Sequence, residues 1–242
     1  MIRSLLVRGM LVGMFAGALA FCFAHWLGEP EIDRAIALET ILDQSKDEAP
    51  EPMLVSRQVQ KTLGLLTGTL LYGVALGGIF GLVYAYAQNR YIVSDPRQLS
   101  AVIAGLGYVA IVIVPTLKYP GNPPSIGSPE TIGIRSAAYF LLIAVSIASL
   151  TLSIQLHRRF VARFGSWNGA LVSGAFYLML IVILYQLFPS IDEVPSTFPA
   201  SLLWRFRIAS WELQALLWAS LGLTYGWIAE RAQASYQAQH GA

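Results

Sequence analysis

Leu63–Ala87 reads LGLLTGTLLYGVALGGIFGLVYAYA, without one charged side chain. A helix needs about 20 apolar residues to cross the hydrocarbon core of a bilayer. The run is long enough. It is also too uniformly apolar for a strand of a membrane barrel, which alternates over about 10 residues. Backbone groups in lipid are satisfied only within a helix or a closed barrel, so this stretch is predicted to be a membrane helix. Five further stretches read the same way: Leu5–Leu27, Leu99–Leu117, Ile132–Leu156, Trp167–Phe188 and Ile208–Ala229. The predicted fold is all-α: a polytopic membrane bundle of about six helices, one integral membrane domain over 1–242.

Composition agrees. Only 12% of the 242 residues are charged and mean hydropathy is +0.57, whereas soluble domains carry about 25% charged residues. A net charge of +2 implies no nucleic-acid partner. Cys22 is the sole cysteine, so no intrachain disulfide forms. The first stretch follows Arg3 and Arg8 and contains Ala18-Leu19-Ala20, which resembles a signal cleavage site. The apolar run continues past it through Phe21, Phe23 and Trp26, so a retained helix is predicted.

Glycines recur every fourth residue at Gly9, Gly13 and Gly17, and again at Gly73, Gly77 and Gly81. That spacing puts each triplet on one helix face and lets two backbones approach closely. The first two helices are predicted to pack through these faces.

The connection of about 28–61 holds eight acidic and four basic residues. Pro30 fits the first position of a helix. Ile32, Ala35, Ile36, Ile41 and Leu42 then recur at helical spacing, predicting a short amphipathic helix at the membrane interface. Ala49-Pro50-Glu51-Pro52 is expected to end it. The segment of about 230–242, with His240, is predicted to be a disordered tail. The loop His157–Gly165 carries three arginines and no acid. Short basic loops favour the cytoplasm, so both termini are placed inside and the acidic loop outside.

Few ionisable residues fall within the apolar stretches. Glu212 does, and a carboxylate at depth is a functional candidate by default. Arg205 and Arg207, one to two turns earlier, are its expected ion-pair partners. His25, Glu29 and Asp33 stand at i, i+4 and i+8, on one face if the helix continues through Pro30. An imidazole with carboxylates suits a borderline divalent ion such as cobalt, nickel or zinc. Glu130, Asp192 and Glu193 lie in other connections placed on the same side and are expected to add to this cation-collecting mouth. The bland reading is that Glu29 and Asp33 stabilise a helix N-terminus. No cysteine pair or His-x-x-x-His is present, which disfavours copper and structural zinc. No phosphate-binding glycine loop and no nucleophile–base pair is visible, so neither a nucleotide partner nor an enzyme is predicted.

Three stretches carry a resemblance. One is Pro115-Thr116-Leu117-Lys118-Tyr119-Pro120-Gly121-Asn122-Pro123-Pro124, then Gly127-Ser128-Pro129-Glu130-Thr131-Ile132, with Arg135 before Tyr139-Phe140. The second is Val194-Pro195-Ser196-Thr197-Phe198-Pro199 followed by Leu203-Trp204-Arg205-Phe206-Arg207-Ile208-Ala209-Ser210. The third is Gly28-Glu29-Pro30-Glu31-Ile32-Asp33-Arg34-Ala35-Ile36. Together they resemble the CbtA family of cobalt transporter subunits over nearly the whole chain. The resemblance implies a bacterial inner-membrane protein that supplies cobalt for cobalamin synthesis. It also implies a small, single-helix, histidine-bearing partner, CbtB. Cobalt would be the transported ion and no cofactor would be permanently bound. Members are often described with five helices. The rival function is a membrane scaffold or metal-handling accessory that moves no ion itself.

Overall fold

The computed structural model describes residues 2–45, 55–90, 95–124, 126–128 and 130–240. The described residues form helices and connections, with no strand. Helix α1 (Ile2–Phe23) passes through a π-helical turn, Ala24–Gly28, into α2 (Glu29–Ser45). Helix α3 (Arg57–Val59) passes through a second π turn, Gln60–Gly64, into α4 (Leu65–Arg90). Helix α5 (Pro96–Tyr108) continues through a third, Val109–Ile113, into α6 (Val114–Lys118). Beyond these lie α7 (Ile132–Phe164), α8 (Ser166–Leu187) and α9 (Ala200–His240).

Among the described residues, five helical runs are long and apolar enough to cross a membrane: Ile2–Ile41, Arg57–Arg90, Pro96–Lys118, Ile132–Phe164 and Ser166–Leu187. The sixth stretch, 208–229, is helical within α9 but less apolar, since it carries Glu212 and Gln214. Leu217, Trp218, Leu221 and Tyr225 of α9 are buried by protein, so part of this helix relies on neighbours and not on lipid.

Two boundaries differ from those predicted. The chain stays helical through Gly28 and Pro30, so the connection expected from 28 begins as helix. The π turn supplies the reason. Pro30 has no N–H to donate, which in a plain α-helix strands a carbonyl. The wider turn re-pairs the backbone there, with the Glu29 N–H reaching the Ala24 carbonyl. At the other end α9 runs helical to His240, through the segment expected to be a tail. The predicted terminator Ala49–Pro52 lies outside the described residues.

The chain packs as two compact units, Met1–Tyr108 with Pro123–Ser125 and Ala200–Ala242, and Val109–Asn122 with Ile126–Pro199. In the first, α1 and α4 meet through their glycines. A Cβ on Gly13 would lie 2.9 Å from the Gly77 Cα, and one on Gly73 would lie 3.0 Å from the Gly17 Cα. Gly9 and Gly81 complete the seam, each facing backbone of the other helix. Helix α9 lies against α1 and α5. Ser100 Oγ donates to the Gly222 carbonyl at 2.7 Å, and the Trp218 ring fills the space beside Gly107. Tyr225 is buried between Phe80 and Tyr84, and its hydroxyl lies 3.3 Å from the Leu5 carbonyl.

In the second unit, α7 and α8 form a hairpin that turns at Gly165, whose φ of 79° favours a residue without a Cβ. Ser146 Oγ and Tyr177 OH lie 2.9 Å apart inside the hairpin. The proline-rich connections are pinned: Lys118 Nζ donates to the Tyr185 carbonyl at 2.9 Å and Tyr119 OH to the Pro189 carbonyl at 2.7 Å.

A candidate cation mouth held by arginine and lysine

His25 sits in the first π turn and Lys61 in the second. His25 Nδ1 lies 3.0 Å from the Lys61 carbonyl oxygen. A carbonyl only accepts, so Nδ1 is the donor and the neutral ring keeps its lone pair at Nε2. Phe21 stacks on the imidazole with ring centroids 5.6 Å apart, and Trp26 meets it edge-on. A histidine whose other nitrogen is fixed by a carbonyl is oriented for coordination.

One turn on, Glu29 is only 6% exposed. Its carboxylate pairs with the Arg57 guanidinium. The same guanidinium reaches Asp33 Oδ1 at 3.0 Å, and Lys61 Nζ stands 3.6 Å from Asp33 Oδ2. Asp33 is more open than Glu29. The continuous helix brings His25, Glu29 and Asp33 to one side, and α3 with its π turn brings two cations against them. Among the described residues, no three His, Cys, Asp or Glu side chains are grouped so as to hold a metal. The negative charge is already countered by protein.

Glu130, Asp192 and Glu193 belong to the second unit. Glu130 and Asp192 are exposed. Glu193 is held by Arg135 at 3.1 Å, by the Ser128 N–H at 3.3 Å and by the Thr131 hydroxyl. That makes it a strut between the two proline-rich connections. Glu212 is exposed on α9. Arg205, expected to pair with it, faces α2 instead, with Nε 3.8 Å from Glu31 Oε2.

Residues 2–230 match the family described as "Probable cobalt transporter subunit (CbtA)". The chain belongs to the CbtA family. No curated protein and no solved structure matches it. CbtA is a family of transporter subunits and not of enzymes, and the word subunit implies a partner. The apolar helices and the family together make this a membrane protein.

The roles of Arg57, Lys61 and Glu31 are not apparent from metal-ligating residue types alone. A signal for the first two exists in the spacing. Arg57 and Lys61 stand at i and i+4, matching Glu29 and Asp33 at i and i+4. Two helical turns with complementary charge at the same interval are suited to pair.

Proposed function

We propose that this chain is the membrane-embedded subunit of a system that takes up Co²⁺ across the bacterial inner membrane. The observation that carries the reading is the CbtA match over residues 2–230. His25 supports it from the chemistry, with a bare Nε2 one turn from Glu29 and two from Asp33. In this reading α9 adds a sixth crossing to the five apolar runs, so that both termini are cytoplasmic and the His25–Asp33 group faces outward. Glu130 and Asp192 add a negative field on that side of the membrane, while the charge of Glu193 is met by Arg135. Carboxylates concentrate cations, and the imidazole favours a transition metal over magnesium or calcium.

Arg57 and Lys61 give the mouth a resting state. They neutralise Glu29 and Asp33 until the arriving ion displaces them, so the carboxylates never stand unpaired in a buried setting. An inside-negative potential supplies about 2.3 kcal/mol per charge per 100 mV. A divalent ion gains about 4.6 kcal/mol, roughly 2,000-fold accumulation without a nucleotide. A small single-helix subunit of the CbtB kind is the proposed partner, and cobalamin synthesis the proposed destination.

Purified protein in vesicles, with the small subunit added, is expected to take up Co²⁺ when the interior is made negative. Uptake that stays at the empty-vesicle rate at every potential would overturn this reading. It would favour a second one, in which the chain is a scaffold or accessory for a metal-handling partner. The saturation of Glu29 and Asp33 by Arg57 and Lys61 is the observation that speaks for that second reading.

A further inference from the structure

We infer that a cleft between α2 and the first turns of α9 binds the headgroup of a membrane aminophospholipid of the phosphatidylethanolamine type. The cleft holds about 230 Å³ and is lined by Leu27, Glu31, Trp204, Arg205, Ile208, Ala209 and Glu212. Every one of these residues belongs to the first unit.

Glu31 makes the cleft more than a surface dimple. It is 9% exposed, and its Oε2 atom has no hydrogen-bond partner. The other oxygen, Oε1, is occupied by Arg34. Arg205 stands 3.8 Å from Oε2, which is an ion pair but too far for a hydrogen bond. A buried carboxylate oxygen left in this way is costly, and the structure answers it with charge alone. Arg205 itself is more than half exposed and has room to turn.

A ligand complementary to this cleft donates N–H to Glu31 and accepts from Arg205. A primary ammonium next to a phosphate does both. Its arrival replaces one loose pair with two hydrogen-bonded ones, ammonium to Glu31 and guanidinium to phosphate. Glu212, at the exposed side of the cleft, adds a second acceptor for the ammonium. The remaining lining suits the glycerol and acyl chains attached to the phosphate. Leu27, Ile208 and Ala209 are apolar, and Trp204 is 62% exposed, as tryptophans at the lipid–water boundary are. A divalent metal fits less well, because the cleft offers two carboxylates and sets a guanidinium against one of them.

Full-length protein in nanodiscs of equimolar phosphatidylethanolamine, phosphatidylcholine and phosphatidylglycerol tests this, with retained lipids counted by native mass spectrometry. Phosphatidylcholine has the same charge but no N–H, so it isolates the Glu31 hydrogen bond. Phosphatidylethanolamine is expected to be retained over phosphatidylcholine by roughly tenfold, the size of one hydrogen bond to a charged group. In Glu31→Gln that ratio is expected to fall towards one. In Arg205→Gln retention of all three lipids is expected to fall. An equal retention of the two zwitterionic lipids by the wild-type protein would overturn the inference, and so would an unchanged ratio in Glu31→Gln. If Glu31→Gln cannot be isolated folded, the exposed Glu212→Gln decides by the same ratio: a fall supports the site and no change overturns it. Displacement of the lipid by water-soluble glycerophosphoethanolamine at equal concentration, or by a lysine-bearing helix peptide with no lipid preference left, would overturn the assignment to a membrane lipid. None of these readings depends on cobalt transport.

Discussion

The imidazole of His25 and the backbone carbonyl of Lys61 meet across two π-helical turns, with Nδ1 3.0 Å from the oxygen. This contact ties the end of the first membrane helix to the start of the second. It also leaves one ring nitrogen without a proton in the neutral ring. Structure and proposed chemistry therefore depend on different atoms of one side chain, and substitution can separate them.

Asparagine at position 25 places an amide N–H where Nδ1 stands, to give the Lys61 carbonyl, but offers a poor metal ligand. His25→Asn is expected to reach the membrane at wild-type levels and to lower Co²⁺ uptake by roughly tenfold or more, in the range seen when a metal site loses a determinant. Uptake equal to wild type would remove His25 from the ion's route.

Glu29 and Asp33 cannot be neutralised cleanly on their own, since Arg57 would then be left against uncharged groups. Arg57→Gln alone leaves the buried Glu29 carboxylate unpaired and is expected to cost about 3–5 kcal/mol of stability. The triple variant Glu29→Gln, Asp33→Asn, Arg57→Gln is expected to recover most of that in thermal unfolding while still losing uptake. If the triple variant transports normally, the carboxylates serve the helix pair and not the ion.

The glycine seam predicts a position-specific penalty. A Cβ at Gly13 meets the Gly73 carbonyl and the Gly77 Cα, whereas a Cβ at Gly68 meets nothing within 4 Å. Gly13→Ala is expected to destabilise by about 1–3 kcal/mol, as overpacking does, and Gly68→Ala to be neutral or slightly stabilising. Equal unfolding temperatures for the two variants would show that α1 and α4 do not meet this way.

Orientation is checked by single cysteines in a Cys22→Ser background. Probes at Ser45 and Ser196 are expected to react with an impermeant thiol reagent from outside, and one at Ser166 only after the membrane is opened. The reverse pattern would put the acidic connection in the cytoplasm.

The apolar runs made the helices legible, because lipid leaves the backbone few alternatives. The glycine spacing likewise identified the faces of α1 and α4 that now lie together. What was not legible depended on partners distant in sequence. Gly28-Glu29-Pro30 carries ordinary break signals, and nothing local announces that a π turn will carry the helix past them. Glu212 had arginines at helical spacing within its own helix, yet Arg205 faces Glu31 of α2. His25, Glu29 and Asp33 stand out by ligand type, but their pairing does not, since Arg57 and Lys61 arrive from the far side of a long connection. The stretch 208–229 is less apolar than the other five because it carries Glu212 and Gln214, and hydropathy along one segment does not record that Leu217, Trp218, Leu221 and Tyr225 are buried by protein.

The π turn at Ala24–Gly28 is one residue more than an α-helix needs there. It works as a fixed insertion, and its phase is carried by everything downstream in α2. Were all five of its residues wound as regular α-helix instead, Glu29, Glu31 and Asp33 would turn by about 100° about the axis, one residue's worth. Glu29 would leave Arg57 and Glu31 would leave Arg205, with no side chain altered. The winding of this segment therefore decides the Glu29–Arg57 and Glu31–Arg205 pairs as much as the identity of its residues does.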